Sequence, residues 1–363
     1  MDDAVVFVQQ RAGQAGAQVC LSRLIRHELI KPLNPVLVTG SEGWLTEECD
    51  RAGVPRLIEP FPKSRTITGR LAGNAGWAKR VAKGLTDLGC RPVVVHANDH
   101  LEGLLSLHLA NQNNAGSVML MRSGGMTERD FAKYRCGEFD RVLCAGEELA
   151  DTATAWSNSG TIEWVPDGIH PDEFMAAKPK PATFPARVLV IGTPAPGKGW
   201  GDVIDALCHL HEQDALPNGT VFDFNGDKPE VPEWDQQLHR LPTGTCRFVG
   251  RNPDFRETVR GYDLVINPSR FETMGMAAIE VLAAGVPLLS SLTGAMGHVL
   301  QESEFVFPSG DVIALAERIA GLNEKWATIS PPVAECQQRI RDRFLIEKCA
   351  ARMSEIYRSL FGE

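Results

Sequence analysis

The sequence predicts an α/β protein built from two Rossmann-like domains of similar size. Three observations carry that expectation. Short apolar strands alternate with amphipathic helices along nearly the whole chain. The turns that leave the strands carry glycine and polar residues, as in parallel α/β units. A stretch with three prolines and no periodicity, residues 178–185, interrupts the pattern near the middle of a 363-residue chain, longer than one core usually supports.

The first strand covers residues 4–8 and runs into a loop containing Gly13, Gly16 and Ala17. A helix follows, with Val19, Leu21, Leu24, Ile25 and the pair His27 and Glu28 on a 3.6-residue period, then a strand at 36–38. This arrangement places the loop backbone at the carboxyl end of a strand, where parallel sheets bind ligands. The next unit has a strand at 92–96, Asn98, Asp99 and His100 heading a helix at 101–109, and a strand at 117–121 that ends in Arg122, Ser123, Gly124 and Gly125. His96 and His100 straddle a strand-to-helix junction without the glutamate of a metalloprotease motif, so metal binding is not expected. A third unit pairs a strand at 142–144 with a helix from Glu147 to about residue 158 and a strand at 162–165. The turn Pro166, Asp167, Gly168, Ile169, His170, Pro171 then breaks the regularity. Domains are expected at 1–180 and 181–340, with a terminal segment 341–363.

After the proline-rich stretch the pattern restarts with a strand at 187–191, a loop at 192–199 and a helix at 200–210. Strands follow at 221–224, 246–249 and 263–267. Pro268 and Ser269 then turn into a helix at 274–284 that is apolar on every side, Glu280 being its only charge; Gly285 and Pro287 end it. A helix without a polar face belongs in an interior, where an ionised carboxylate needs a partner. The last helix, 340–360, is long and amphipathic, with Phe344, Ala351, Ile356 and Tyr357.

A formal net charge of −9 argues against nucleic acid as the main partner. Nine cysteines, without a Cys-x-x-Cys pair or a signal peptide ahead of them, read as reduced thiols in a cytosol. No apolar run approaches the roughly 18 residues of a membrane-spanning helix. Residues 61–91 are the exception to the acidic balance: Lys63, Arg65, Arg70, Lys79, Arg80, Lys83 and Arg91 stand against Asp87, with Trp77 interleaved. Two readings are open for this region, a solvated helix face or a patch for an anionic acceptor or peripheral membrane contact.

The loop from Gly192 to Lys198 matches the spacing of a Walker A sequence. It fails as one, because Gly199 stands where a magnesium-binding Ser or Thr is required and Pro194 and Pro196 remove two amide donors. A strand end, Lys198 and a helix N-terminus survive, and together they favour a phosphate. Glu272 and Glu280 lie eight residues apart, about 12 Å if the segment is helical throughout. That is too far for a hydrolytic carboxylate couple. The two carboxylates suit the hydroxyls at either end of a long polar ligand, with Lys198 and the amides of Thr273 to Met276 on a diphosphate between them. A nucleotide sugar has that layout.

These residues resemble the retaining GT-B glycosyltransferases, most nearly family 4. The segment Pro268-Ser269-x-x-Glu272-x-Met274-Gly275-x4-Glu280-x4-Gly285-x-Pro287 matches that family's Glu-x7-Glu signature, and Gly192-x5-Lys198-Gly199 matches the spacing of its Gly-Arg-x4-Lys-Gly loop. Asp167-Gly168-Ile169-His170 resembles its Asn-Gly-Val/Ile-Asp turn, and Phe248-Val249-Gly250-Arg251 the segment beside the base. The resemblance implies two Rossmann-like domains facing a central cleft, with the C-terminal helix crossing back to the first domain. It implies that Lys198 holds the donor diphosphate, that Glu272 and the amides of Thr273, Met274, Gly275 and Met276 hold the sugar, and that Glu280 holds the ribose. Gly192, Thr193, Arg251, Gly16 and Ala17 complete the implied donor site. Gly13, Asn98, Asp99, Arg122 and Gly124 are placed on the side of a sugar or lipid-linked acceptor.

Three positions depart from the family pattern. Thr193 stands where an arginine is usual, with Arg122, Arg251 and Arg270 as possible substitutes; Asp167 and His170 replace the turn's Asn and Asp; Met274 replaces a phenylalanine. The sequence therefore points to a cytoplasmic enzyme that transfers a sugar with retention from a nucleotide-diphosphate donor, in bacterial polysaccharide, glycolipid or glycoconjugate synthesis. Glu272 and Lys198 are its catalytic candidates. No Asp-x-Asp pair occurs, so neither metal nor cofactor is expected. A sugar-nucleotide epimerase and an inactive donor-binding subunit are the alternatives.

Overall fold

The computed structural model describes residues 1–63, 67–157, 162–252 and 254–361, with the backbone alone for 67–72. It forms two compact units, Met1–His170 with Phe344–Glu363, and Pro171–Arg343. The first holds a parallel sheet of β1 (Asp2–Gln9), β2 (Val36–Thr39), β3 (Arg56–Ile58), β4 (Cys90–Ala97), β5 (Gly116–Met121), β6 (Arg141–Cys144) and β7 (Ile162–Trp164), in the order β3-β2-β1-β4-β5-β6-β7. Alternate side chains of β1 bury in opposite directions. Val5 and Phe7 pack with Leu21, Leu24, Met353 and Tyr357, whereas Ala4, Val6 and Val8 pack with Trp77, Val81 and Leu109. Both faces are covered, as the near-continuous apolar strands require.

The second unit holds β8 (Arg187–Val190), β9 (Val221–Phe224), β10 (Cys246–Phe248), β11 (Leu264–Asn267), β12 (Leu288–Ser291) and β13 (Val306–Phe307), again parallel, in the order β10-β9-β8-β11-β12-β13. Strand order reverses between β1 and β4 in the first unit and between β8 and β11 in the second. In such sheets the crevice outside the carboxyl ends at the reversal is the ligand site.

Three expectations are corrected. Residues 178–185 are fastened to the second unit: Lys178 Nζ donates to the carbonyls of Arg260 at 3.0 Å and Tyr262 at 2.9 Å, and Lys180 Nζ to that of Ile329 at 2.7 Å. The units part at 170/171, ten residues before the expected boundary. Proline content marked an irregular segment correctly but says nothing of the carbonyls that its lysines reach. The expected helix at 340–360 is two helices, Val333–Arg343 and Ile346–Phe361, one in each unit. Between them Phe344 O accepts from Ile169 N at 2.8 Å and Ile346 N donates to Ile169 O at 3.0 Å, so these groups are removed from the helical ladder. A Cβ on Gly168 would lie 2.3 Å from Ile346 Cα, which is why this crossing carries glycine. Finally, Trp77 is fully buried in the Ile67–Asp87 helix and donates to Glu59 O, so it is no membrane anchor. Lys79, Arg80 and Lys83 lie exposed on that helix, with Arg80 paired to Glu59. Arg91 pairs with Asp3, and Arg65 and the Arg70 side chain lie outside the described residues. Among the described residues no helix is long and apolar enough to cross a membrane.

One buried carboxylate ties the second sheet together. Asp223 of β9 is fully buried and accepts from Arg187 Nε of β8 at 2.9 Å, Arg247 Nε of β10 at 2.8 Å and the Tyr262 hydroxyl ahead of β11 at 2.9 Å. Burial works to raise its pKa, but these three donors outweigh burial and hold it below the usual carboxylate value. Asp223→Ala is expected to lower stability by about 2–3 kcal/mol, because three donors lose their acceptor. A shift in the urea midpoint measures it.

Candidate active site

In the second unit the site begins where β8 ends. Gly192 adopts φ 118°, and a Cβ there would crowd Lys198 Cβ and Trp200 Nε1, both at 3.3 Å. Trp200 is buried, donates through Nε1 to Ile191 O at 3.2 Å and meets the Phe224 ring edge-on with centroids 5.2 Å apart. Both ends of the loop are thereby fixed. Gly199, at φ 67°, lies so close to the next loop that a Cβ would sit 1.9 Å from Pro268 O. Arg270 N donates to Gly197 O at 2.8 Å across the same junction. The two loops at the carboxyl ends of β8 and β11 are thus joined through backbone.

That junction brings Lys198 Nζ to 2.6 Å from Glu272 Oε1, with side chains 33% and 18% exposed. The loop carrying Glu272 is held by Ser291 Oγ, which donates to Ser269 O at 2.6 Å, and by Ala295 N, which donates to Met274 O at 3.0 Å. The helix beyond it spans Met276–Ala283 and starts from Gly275 at φ 78° with no side-chain cap. Its first turn offers amides and a positive dipole end. The Thr273 hydroxyl beside it is buried and lacks a partner among the described residues. Two sequence inferences need correction here. The helix starts at Met276, so Glu272 precedes it and the 12 Å ruler does not apply. Nor is the helix wholly interior: Ala277 is exposed and Glu280, three residues on, is half-buried on the same side.

Of the arginines considered in place of Thr193, Arg270 is held by Asp202, with Nε to Oδ2 at 2.9 Å. Arg251 is exposed beyond Gly250, whose φ is 71°. Thr193 itself is exposed.

In the first unit Gly13 and Gly16 are exposed, and the helix Gly16–Ile25 opens without a side-chain cap. Asn98 and Arg122, expected on the acceptor side, are interior. Arg122 donates through Nε to Asn98 Oδ1 at 3.1 Å and pairs with Asp167, whose side chain is 7% exposed; Asn98 also donates to Ala17 O at 3.3 Å. Asp99 is 14% exposed and accepts from His100 N at 2.8 Å and from the Ser123 hydroxyl. Burial opposes its ionisation, but the hydrogen bonds from His100 and Ser123 dominate and lower its pKa. Gly124 is exposed. The polar residues at these strand ends therefore mostly bind one another.

Sequence reasoning missed Glu102. It is 2% exposed, and its Oε1 accepts from Gln10 N at 2.9 Å and Gln9 Nε2 at 3.3 Å, while Gln9 also accepts from Asn98. Glu102 thus fixes the first residues of the loop that leads to Gly16. Its position two residues after His100, beside the end of β1, was the available signal. Burial pushes its pKa up to about 7, against the pull of the Gln10 amide. His96, fully buried with Nδ1 3.0 Å from the Tyr357 hydroxyl, is pushed down to about 3 by burial and by Arg122.

Between about pH 4.5 and 7 folded Glu102 retains a proton that the unfolded chain releases, so its contribution to stability falls as pH rises through that window. Buried neutral His96 acts oppositely: below about pH 6.5 the unfolded chain binds a proton that the fold refuses, so stability falls as pH drops. The stability difference between wild type and Glu102→Gln isolates the first effect. It is expected to move by about 2–3 kcal/mol in favour of the variant between pH 5 and 8, measured by urea denaturation.

Comparison with known proteins places the fold among solved structures. Residues 185–325 match the family model of Glycosyl transferases group 1. The chain is 26% identical over 300 residues to the glycogen synthase of Mycobacterium tuberculosis, covering 77% of this chain and 71% of that protein. It is 25% identical over 347 residues to the 2-deoxystreptamine N-acetyl-D-glucosaminyltransferase of Streptomyces fradiae, covering 84% and 82%. In structure it is similar to Anabaena Alr3699/HepE in complex with UDP and glucose, with a TM-score of 0.79 at 16% identity over 98% of this chain and 99% of that one. The sucrose-phosphate synthase of Thermosynechococcus elongatus superposes with a TM-score of 0.76 at 17% identity over the full length of both chains. Two parallel α/β units that superpose on these structures over nearly the whole length give the chain the GT-B fold, and residues 185–325 are similar to the Glycosyl transferases group 1.

Proposed function

We propose that this protein is a glycosyltransferase that moves a sugar, with retention of configuration, from a nucleoside-diphosphate donor to an acceptor hydroxyl without a metal. The observation that carries the reading is the junction of loops 192–199 and 268–276 at the strand-order reversal of the second unit, where Lys198 meets Glu272 beside the uncapped start of the Met276–Ala283 helix. An ammonium and helix amides match a diphosphate. A carboxylate and the Thr273 hydroxyl, buried without a partner among the described residues, match sugar hydroxyls. Glu280, half-buried on the open side of its helix, is assigned to the ribose.

In the proposed step the bond from the anomeric carbon to the β-phosphate oxygen breaks, and a bond to the acceptor oxygen forms on the same face. The acceptor proton passes to the departing phosphate. Lys198 and the helix terminus stabilise the leaving charge, and no protein nucleophile is assigned. UDP and glucose in the Anabaena neighbour make uridine donors the first to test. The acceptor is assigned as a sugar or lipid-linked sugar in bacterial glycan synthesis, in line with the glycogen synthase among the relatives. Cytosolic residence fits nine cysteines without a disulfide among the described residues.

A thermal-shift screen of UDP-, GDP-, ADP- and TDP-sugars is expected to give a stabilising donor. Release of nucleoside diphosphate with an acceptor, and an anomeric signal of unchanged configuration by NMR, would establish transfer with retention. Isomerised sugar without acceptor would instead establish an epimerase, and binding without turnover would favour an inactive donor-binding subunit. Lys198→Ala is expected to weaken donor binding at least about 10-fold with the melting temperature intact. Unchanged affinity by calorimetry would remove Lys198 from the diphosphate.

A further inference from the structure

The Lys198–Glu272 ion pair has a consequence for what the site retains, resting on the donor reading above. Loops 192–199 and 268–276 contain three charged residues, Lys198, Arg270 and Glu272. Arg270 is held by Asp202, so Lys198 is the cation those loops offer to a diphosphate. Its ammonium already lies 2.6 Å from Glu272 Oε1. The two residues do not separate freely, because the contact of Gly199 with Pro268 and the hydrogen bond from Arg270 N to Gly197 O fix their loops together.

A sugar nucleotide exchanges both partners at once, its phosphates taking Lys198 and its hydroxyls taking Glu272. A bare nucleoside diphosphate takes Lys198 but leaves a carboxylate beside its own negative charge, which like-charge repulsion opposes. We infer that Glu272 is a specificity-determining residue that distinguishes the sugar-bearing donor from the nucleoside-diphosphate product, by competing with that product for Lys198. Re-formation of the pair then assists product release.

The test is isothermal calorimetry of UDP, GDP and ADP against wild type, Glu272→Gln, Lys198→Ala and the double variant, with melting temperatures confirming folding. Glu272→Gln is expected to bind the preferred nucleoside diphosphate about 2- to 5-fold more tightly, the effect of releasing one partly exposed ion pair. The gain is expected to vanish in the Lys198→Ala background, as a double-mutant cycle requires of a direct pair. Unchanged or weaker binding by Glu272→Gln overturns the inference, as does a gain that persists in full without Lys198. If wild type binds one of the three and Lys198→Ala loses it, the donor reading stands whatever Glu272→Gln does. If none binds to any variant, the donor reading fails and the inference fails with it.

Discussion

The second unit depends on one close approach of backbone to backbone. Gly199, in a left-handed conformation, lies against the Pro268 carbonyl at a distance that no side chain permits. Around that contact the loop after β8 and the loop after β11 become one structure, and Lys198 and Glu272 become neighbours although 74 positions separate them. Trp200 from below and the Ser291 and Ala295 contacts from the side hold the same junction. A pair formed by long flexible side chains on mobile loops contributes little; here the backbone orders them first.

The first unit solves a different problem at its own strand-order reversal. Charged and amide side chains at the ends of β1, β4 and β5 are drawn inside, where each needs a partner. Glu102, Gln9, Asn98, Arg122 and Asp167 supply one another in sequence. Asn98 and Arg122, which a linear reading assigns to an acceptor, bind one another and reach the backbone at Ala17. The departure at Asp167 has a local cause: buried Arg122 requires a counter-ion, which an asparagine would not provide. At Thr193 no such compensation exists within the loop, since Arg270 is engaged elsewhere and Arg251 stands exposed on a separate segment.

Strand and helix periodicity determined the fold class from the sequence alone, because parallel sheets buried on both faces require near-continuous apolar strands. The signature around Glu272 and Glu280 pointed to the loop that the structure joins to Lys198, since glycine and proline at fixed positions constrain backbone wherever they occur. Only the tertiary structure decided which of the polar residues are available. Burial of Asn98 and Arg122, the partner of Lys198 and the raised pKa of Glu102 all arise from contacts between segments 24 to 92 positions apart. The division of the last helix was likewise decided by pairing with Ile169. Local sequence sets conformational preference and amphipathic period, but desolvation and ion pairing depend on neighbours that only the folded chain brings together.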